Sequence, residues 1–185
     1  MDRLSPDSSL LFVVDVQEKL LVAMPDDARI RLLKNADILL EAARLLEVKV
    51  LASEQYPKGL GPTFAPVQER LDALGVAPHA KLEFDALGDP QIARAVHHTE
   101  ARSVVVIGME THVCVYQTVR ELARRGYVTH VVADAVASRT EDNRQAGLRL
   151  CERAGAVVTV TEAVVFDWLR RAGSDSFKQI SKLVR

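Results

Sequence analysis

Cysteine is scarce in this 185-residue chain, which holds only Cys114 and Cys151. Two cysteines give no sign of a disulfide framework and favour a reducing compartment. An excess of charge of one sign is lacking as well, because 24 basic and 25 acidic residues leave a net charge of -1. That balance gives no reason to expect nucleic acid or an anionic membrane as a partner.

The sequence also lacks a long apolar run of the kind that spans a membrane. Hydrophobic residues make up 48% of the chain and charged residues 26%, which is ordinary for a globular protein and too polar for a membrane span. Residues 1–5 show neither the basic nor the apolar stretch that opens a secretory signal, so a cytoplasmic location is expected. The length favours a single domain over residues 1–185.

Strand signals and helix signals alternate along the whole chain. Apolar, β-branched runs predict six strands, at residues 10–15, 48–52, 80–84, 104–107, 127–133 and 156–160. Helices are predicted at 26–46, 90–97, 111–125, 138–154 and 161–184, with a long loop at 53–78 that contains a short helix near 67–74. This order is typical of a three-layer α/β/α sandwich with a six-stranded parallel sheet.

Cys114 occupies the most informative position, where the strand at 104–107 should lead through Gly108 into a helix. A thiol in the first turn of a helix lies near unpaired N–H groups, whose partial positive charge favours the thiolate. The carboxyl edge of a parallel sheet is also where open α/β folds place their chemistry. The alternative is a small buried hydrophobic residue, which is the interpretation we give Cys151 on its amphipathic helix.

Two further reactive residues are predicted at the same edge. Asp15 closes the first strand and Lys81 lies on the third, so both should approach Cys114 in space. The three suit a covalent catalyst, in which Asp15 takes the thiol proton and returns it to a leaving amine. Lys81 would stabilise the thiolate and the carboxylate. Taken singly, Asp15 also fits a turn and Lys81 a solvated surface.

These residues stand in motifs that resemble the isochorismatase-like cysteine hydrolase superfamily, which includes nicotinamidases and N-carbamoylsarcosine amidohydrolases. The similarity runs from about residue 9 to the C terminus in the family's order and spacing. It is carried by FVVDVQ at 12–17, AKLEF at 80–84, GMETHVCV at 108–115, Thr118, VADA at 132–135, Ser138 and Arg139. The segments SEQYPKGLGPT at 53–63 and FKQISKL at 177–183 resemble the isochorismatase domain-containing group in particular.

The resemblance implies a Rossmann-like isochorismatase fold and a triad of Asp15 as acid–base, Lys81 as electrostatic partner and Cys114 as nucleophile. Nicotinamidases carry an Asp-x-His metal motif after the second strand, whereas this chain reads Glu54-Gln-Tyr and has no histidine between residues 51 and 78. No metal or other cofactor is therefore expected. True isochorismatases lack the cysteine, so Cys114 indicates amide-type carbonyl chemistry.

The same resemblance places a cis peptide bond between Met109 and Glu110 in this family. The N–H groups of Glu110 and Cys114 are then expected to form the oxyanion hole. Candidate substrate-binding residues around the nucleophile are Gln17, Tyr56, Thr63, His112, Tyr116 and Gln117. For His112, simple exposure at the start of a helix is the alternative.

The main functional hypothesis is a metal-independent cysteine hydrolase that cleaves an amide-like C–N bond of a small molecule through a thioester on Cys114. The alternative is a catalytically idle binding or regulatory protein, against which the intact triad argues. Nucleotide binding is disfavoured because no glycine-rich motif follows the first strand. A homo-oligomer is expected because family members usually assemble and because a lone domain would expose the apolar tail residues Phe177, Ile180, Leu183 and Val184.

Overall fold

A six-stranded, all-parallel sheet forms the centre of the computed structural model, which describes residues 3–184. Its strand order is β3-β2-β1-β4-β5-β6. The strands are β1 (Ser9–Val14), β2 (Lys49–Gln55), β3 (His79–Lys81), β4 (Ser103–Met109), β5 (Val128–Ala137) and β6 (Val157–Thr159). The two central strands, β1 and β4, are buried along their whole length, as expected for a parallel sheet covered on both faces.

Helices form the two outer layers, which confirms the predicted three-layer α/β/α sandwich. They are α1 (Glu18–Val22), α2 (Asp26–Leu46), α3 (Pro57–Leu60), α4 (Ala65–Ala73), α5 (Pro90–His98), α6 (Tyr116–Arg124), α7 (Glu141–Arg153), α8 (Thr161–Leu169) and α9 (Asp175–Leu183). Helices α2, α4, α8 and α9 pack on one face, whereas α5, α6 and α7 pack on the other. Within residues 3–184, no helix is long and apolar enough to cross a membrane.

Alternate side chains of the central strands supply the two hydrophobic cores. Leu11 and Val13 of β1 belong to the core beneath α2, while Leu10 and Phe12 belong to the core beneath α6 and α7. This period of two follows from the pleat of a strand, which points successive side chains to opposite faces. A continuous apolar run in the sequence therefore becomes two separate cores.

Several predicted element boundaries are wrong, among them the end of β2. The sequence predicts that this strand ends at Ala52 and that residues 53–78 form a loop, but β2 continues to Gln55. The added residues pair with β3, with Ser53 opposite His79 and Gln55 opposite Lys81. The polar residues 53–55 lack the apolar pattern that predicts a strand, so the sequence gives no sign of this extension. The pairing with β3 reveals it. The rest of the supposed loop contains α3 and α4.

The strands and helices after β4 differ from the prediction in a similar way. Gly108 does not end β4, which continues to Met109 and pairs through a register shift with the end of β5. Helix α7 begins at Glu141, not at residue 138, and the hydroxyl of Thr140 caps it by accepting a hydrogen bond from the N–H of Asn143 at 3.2 Å.

The C-terminal tail folds back onto its own domain as two helices instead of one. Ile180 is completely buried, and Phe177, Leu183 and Val184 pack in part against the core beneath α2. The expectation that a lone domain would expose this apolar stretch is therefore wrong. The tail supplies no argument for an oligomer, because its apolar residues are already covered within the chain.

Candidate active site

The candidate site lies at the carboxyl ends of β1 and β4, where the chain order of the sheet reverses. The connection after β1 leads to β2 on one side, and the connection after β4 leads to β5 on the other. Open α/β sheets form a crevice at such a switch point. Asp15 follows β1 directly and Cys114 follows β4 within one turn, so sheet topology brings together residues 99 positions apart.

Asp15 and Lys81 form a completely buried ion pair in this crevice. Lys81 Nζ lies 2.7 Å from Asp15 Oδ2, and neither side chain has any exposed surface. The hydroxyl of Ser53 donates to the other carboxylate oxygen, Oδ1, at 2.7 Å. Each buried charge thus has a charged or polar partner, which a pair of this kind needs in order to remain inside a protein.

Gln55 connects this ion pair to the thiol. Its Oε1 accepts a hydrogen bond from Lys81 Nζ at 2.7 Å and lies 3.9 Å from Cys114 Sγ. Neither Gln55 nor Ser53 is among the predicted site residues, because the predicted strand ends at Ala52. The signal that could have found them is the placement of polar residues at the end of a buried strand adjacent to Asp15.

The surroundings of Cys114 favour the protonated thiol and not the thiolate that the sequence predicts. Burial raises its pKa to about 12, and the carboxylate of Asp15 adds to this effect, while the ammonium of Lys81 opposes it. The favourable charge at the start of a helix is therefore outweighed by desolvation. The chain begins this helix with a π-turn over Thr111–Val115, in which Val115 N–H donates to the carbonyl of Glu110 at 3.2 Å.

Two glycines allow close backbone packing around the nucleophile turn, Thr111–Val115, with Gly108 against β1 and Gly147 against the turn itself. Gly108 has a φ of 120°, and a Cβ there would stand 1.9 Å from the carbonyl oxygen of Val14. Gly147 lets α7 lie against the turn, since a Cβ there would stand 2.7 Å from the backbone N of His112. Between β4 and the turn, the peptide bond from Met109 to Glu110 is cis.

Two predicted substrate-binding residues are occupied in holding the backbone. The side chain of Gln17 is buried, with Nε2 donating to the carbonyls of Gln55 and Gly61 and Oε1 accepting from the N–H of Gln55. Thr63 is also buried, and both its N–H and its hydroxyl donate to Glu54 Oε1, at 2.6 and 2.7 Å. These bonds account for both residues without a substrate, so their predicted role stays a prediction.

The other predicted substrate-binding residues differ in their exposure and in their contacts. Tyr56 is half exposed and borders a cavity of about 430 Å³ that Lys81 also lines. His112 Nδ1 lies 3.0 Å from the hydroxyl of Ser138. Tyr116 and Gln117 are half-buried on the first turn of α6, where the ring of Tyr116 lies beneath a guanidinium.

Glu110 lies beside the nucleophile turn and forms an ion pair that the sequence analysis did not anticipate. Its carboxylate is nearly buried and accepts from Arg139 Nε at 2.9 Å. Among residues 3–184 there is no group of three or more His, Cys, Asp or Glu side chains that could hold a metal ion.

The Isochorismatase domain model matches residues 9–163, which is most of the chain. The chain belongs to the isochorismatase family. The resemblance read from the motifs is thereby confirmed, as is the fold that it implied.

Known proteins match this chain over nearly its entire length, in sequence or in structure. The secreted isochorismatase effector Isc1 of Phytophthora sojae is 38% identical over 191 residues, covering 100% of this chain and 88% of its own length. The MAR1 ribonuclease of Caenorhabditis elegans is 34% identical, with a TM-score of 0.91 and coverage of 99% and 92%. The YcaC gene product of Escherichia coli, described as an octameric hydrolase of unknown specificity, covers 98% of this chain and 90% of its own with a TM-score of 0.90. At 19% identity, it shows the fold alone.

Proposed function

We propose that this protein is a cysteine hydrolase that cleaves an amide-like C–N bond in a small molecule without a metal ion. The observation that carries the proposal is the buried Asp15–Lys81 ion pair beside the thiol of Cys114. A carboxylate held in this way suits a proton acceptor and a thiol suits a nucleophile. Membership of the isochorismatase family supports hydrolysis as the reaction class.

The reaction begins with the resting thiol, because its raised pKa leaves little thiolate at neutral pH. Asp15 takes the S–H proton as the sulfur attacks the substrate carbonyl carbon and forms a C–S bond. The C–N bond then breaks, and the amine leaves with the proton that Asp15 returns, which leaves a thioester on Cys114. A water molecule gives a proton to Asp15 and attacks the thioester, whose C–S bond breaks and releases the acid. Asp15 returns the proton to the sulfur, which restores the thiol and the carboxylate.

Other parts of the site have supporting roles in this proposal. Each oxygen of Asp15 accepts one hydrogen bond, from Ser53 or from Lys81, and a carboxylate oxygen has a further lone pair for the thiol proton. The N–H groups of Glu110 and Cys114 are the proposed donors to the oxyanion. Tyr56, His112, Tyr116 and Gln117 remain proposed contacts of the substrate.

A small carbonyl substrate fits better than RNA, the substrate class in the name of the C. elegans relative. A thioester requires a carbonyl group, which a phosphodiester lacks. The net charge of -1 also provides no general attraction for a polyanion.

The cytoplasmic location and the homo-oligomer remain proposals. Light scattering that gives a mass near 20.4 kDa at micromolar concentration would contradict the oligomer.

The test is a screen of primary amides, carbamoyl compounds and a short RNA against the intact protein, with mass spectrometry of the protein after rapid quenching. We expect release of an amine and an acyl adduct that maps to Cys114. The matched control is Cys151→Ala, which removes the other thiol. Hydrolysis that persists in Cys114→Ala, or cleavage of RNA alone, would reject the thioester mechanism. Absence of turnover with every compound would favour the catalytically idle alternative.

A further inference from the structure

The hydrogen bonds of Lys81 leave its ammonium no donor for the sulfur or the substrate. Nζ lies 2.7 Å from Asp15 Oδ2 and 2.7 Å from Gln55 Oε1. It also lies 3.2 and 3.4 Å from the carbonyl oxygens of Glu83 and Phe84. An ammonium has three N–H groups, and these four acceptors occupy them. In the resting site, the hydrogen-bond path from Lys81 to the thiol therefore runs through Gln55, while the charge of Lys81 acts on the sulfur directly.

The side-chain amide of Gln55 has a single satisfactory orientation. Its Nε2 donates to the carbonyl of Leu82 at 2.7 Å, which directs Oε1 toward Lys81 and Cys114. A reversed amide would set its NH₂ group against the ammonium, donor against donor, and its oxygen against a carbonyl.

The backbone of Gln55 is held as firmly as its side chain. Gln17 bonds both main-chain groups of Gln55, accepting from the N–H at 2.8 Å and donating to the carbonyl at 3.0 Å. Since Gln55 is also buried, it can neither rotate freely nor exchange its partners for water. A chain of hydrogen bonds thus runs from Gln17 through Gln55 to Lys81 and Asp15.

We propose that Gln55 is a positioning residue that holds Lys81 against Asp15 and provides the resting acceptor for the S–H of Cys114. This inference rests on the proposed function. An amide suits the role because it accepts hydrogen bonds but does not take up a proton near neutral pH, so it does not compete with Asp15 as the base. When the S–H turns from Gln55 to Asp15, the proton transfer can begin.

Two substitutions of Gln55 should change its effect on the Cys114 thiol in opposite directions. Gln55→Met keeps the length of the side chain but removes an acceptor at 2.7 Å from Lys81 Nζ. The two longer carbonyl contacts, at 3.2 and 3.4 Å, then compete only weakly with a thiolate for the ammonium. Gln55→Glu keeps the acceptor for Lys81 but adds a negative charge beside the sulfur. The charged groups that already act on the thiol are Asp15, Lys81 and Glu110, and they are the same in both variants. The control is Gln91→Met, on the exposed surface of α5.

The measurement is the rate of alkylation of Cys114 by iodoacetamide between about pH 8 and 9.5, followed by peptide mapping. Below the thiol pKa, a shift of one unit changes this rate about tenfold at fixed pH. We expect Gln55→Met to accelerate alkylation about tenfold and Gln55→Glu to slow it about tenfold. Both should lower kcat by about 10- to 100-fold with little change in KM, because the base is misplaced.

A residue with a merely structural role would give a different pattern. Loosened packing would expose the thiol and accelerate alkylation in both variants, with a lower melting temperature. That result, or two rates within about twofold of the Gln91→Met control, would overturn the inference. If Gln55→Met does not fold, Gln55→Glu still tests the positioning role of Gln55, because slower alkylation cannot come from a loosened site.

The two proposals can fail separately, because alkylation needs no substrate. An acyl adduct on Cys114 with unchanged alkylation rates in the Gln55 variants would reject the positioning role alone. Opposite shifts in those rates, together with full hydrolysis by Cys114→Ala, would reject the thioester mechanism but retain the contact between Gln55 and the thiol.

Discussion

The surroundings of Cys114 and Cys151 differ far more than the acidity of the two thiols does. Burial raises the pKa of both to about 12. Burial is the sole raising influence on Cys151, which lies near Leu148 in the core between α7 and the sheet, whereas Asp15 and Lys81 also act on Cys114. The acidity of the resting thiol therefore does not identify a nucleophile. What distinguishes Cys114 is the charge of Asp15, which acts on its sulfur and is not among the influences on Cys151.

The largest expected contrast is in turnover by the two alanine variants. Cys114→Ala should reduce hydrolysis by several orders of magnitude, since a covalent mechanism loses its nucleophile. Cys151→Ala should keep turnover near the wild-type value and only lower the melting temperature, because it leaves a small cavity. Steady-state kinetics and thermal denaturation of both variants check this. Equal turnover in the two would remove the functional distinction between the thiols.

The second contrast concerns the buried charge that only the Cys114 region contains. Lys81→Ala leaves Asp15 buried without its cation and should lower the free energy of unfolding by about 3–5 kcal/mol. The control, Lys178→Ala, removes an ion pair whose side chains are 66% and 90% exposed, so its effect should be small. Urea denaturation gives both values.

A double variant tests whether the effect of Lys81 arises from the pair. Asp15→Asn combined with Lys81→Met leaves no unpaired buried charge and should destabilise less than the sum of the two single changes. Strict additivity in urea denaturation would contradict the coupling of the two side chains.

The third prediction separates turnover from the reactivity of the resting thiol. The charge of Asp15 raises the pKa of Cys114, so Asp15→Asn should lower that pKa and accelerate alkylation at fixed pH, by about tenfold per unit. The same change should reduce turnover by about 10²- to 10⁴-fold, because the base is lost. Cys151 should react at its wild-type rate, and the exposed Asp7→Asn should change nothing. Slower alkylation of Cys114 would show that Asp15 does not face the sulfur.

The smallest expected effect concerns Gly147, which lies one turn before Cys151 on α7. Alanine at this position favours a helix by about 1 kcal/mol but meets the backbone of His112. We expect a net loss of about 1–3 kcal/mol and slower turnover, because the nucleophile turn must shift. Arg149→Ala, on the exposed face of the same helix, is the control for stability. A stabilised Gly147→Ala with full activity would mean that the turn tolerates displacement.

The sequence alone was sufficient for the fold class, the family and the candidate triad. Hydrophobic periodicity is a local property, and α2 was predicted with the observed bounds of Asp26–Leu46 because its apolar stripe lies within the helix itself. Asp15, Lys81 and Cys114 could be named because Asp15 closes one predicted strand, Lys81 lies on another and Cys114 follows a third, in motifs that resemble those of the family. Parallel pairing then places the ends of these strands at one edge.

Only the tertiary structure decided what surrounds those residues. Ser53 and Gln55 belong to β2 because β3 pairs with them, and that partner is 26 residues away. The protonation of Cys114 depends on burial by several elements at once, which outweighs the local effect of the helix start. Likewise, α9 carries an apolar stripe whose partner is the core of the same chain. Hydrophobic periodicity predicts that one face of a helix will be buried, but long-range packing determines which part of the protein buries it.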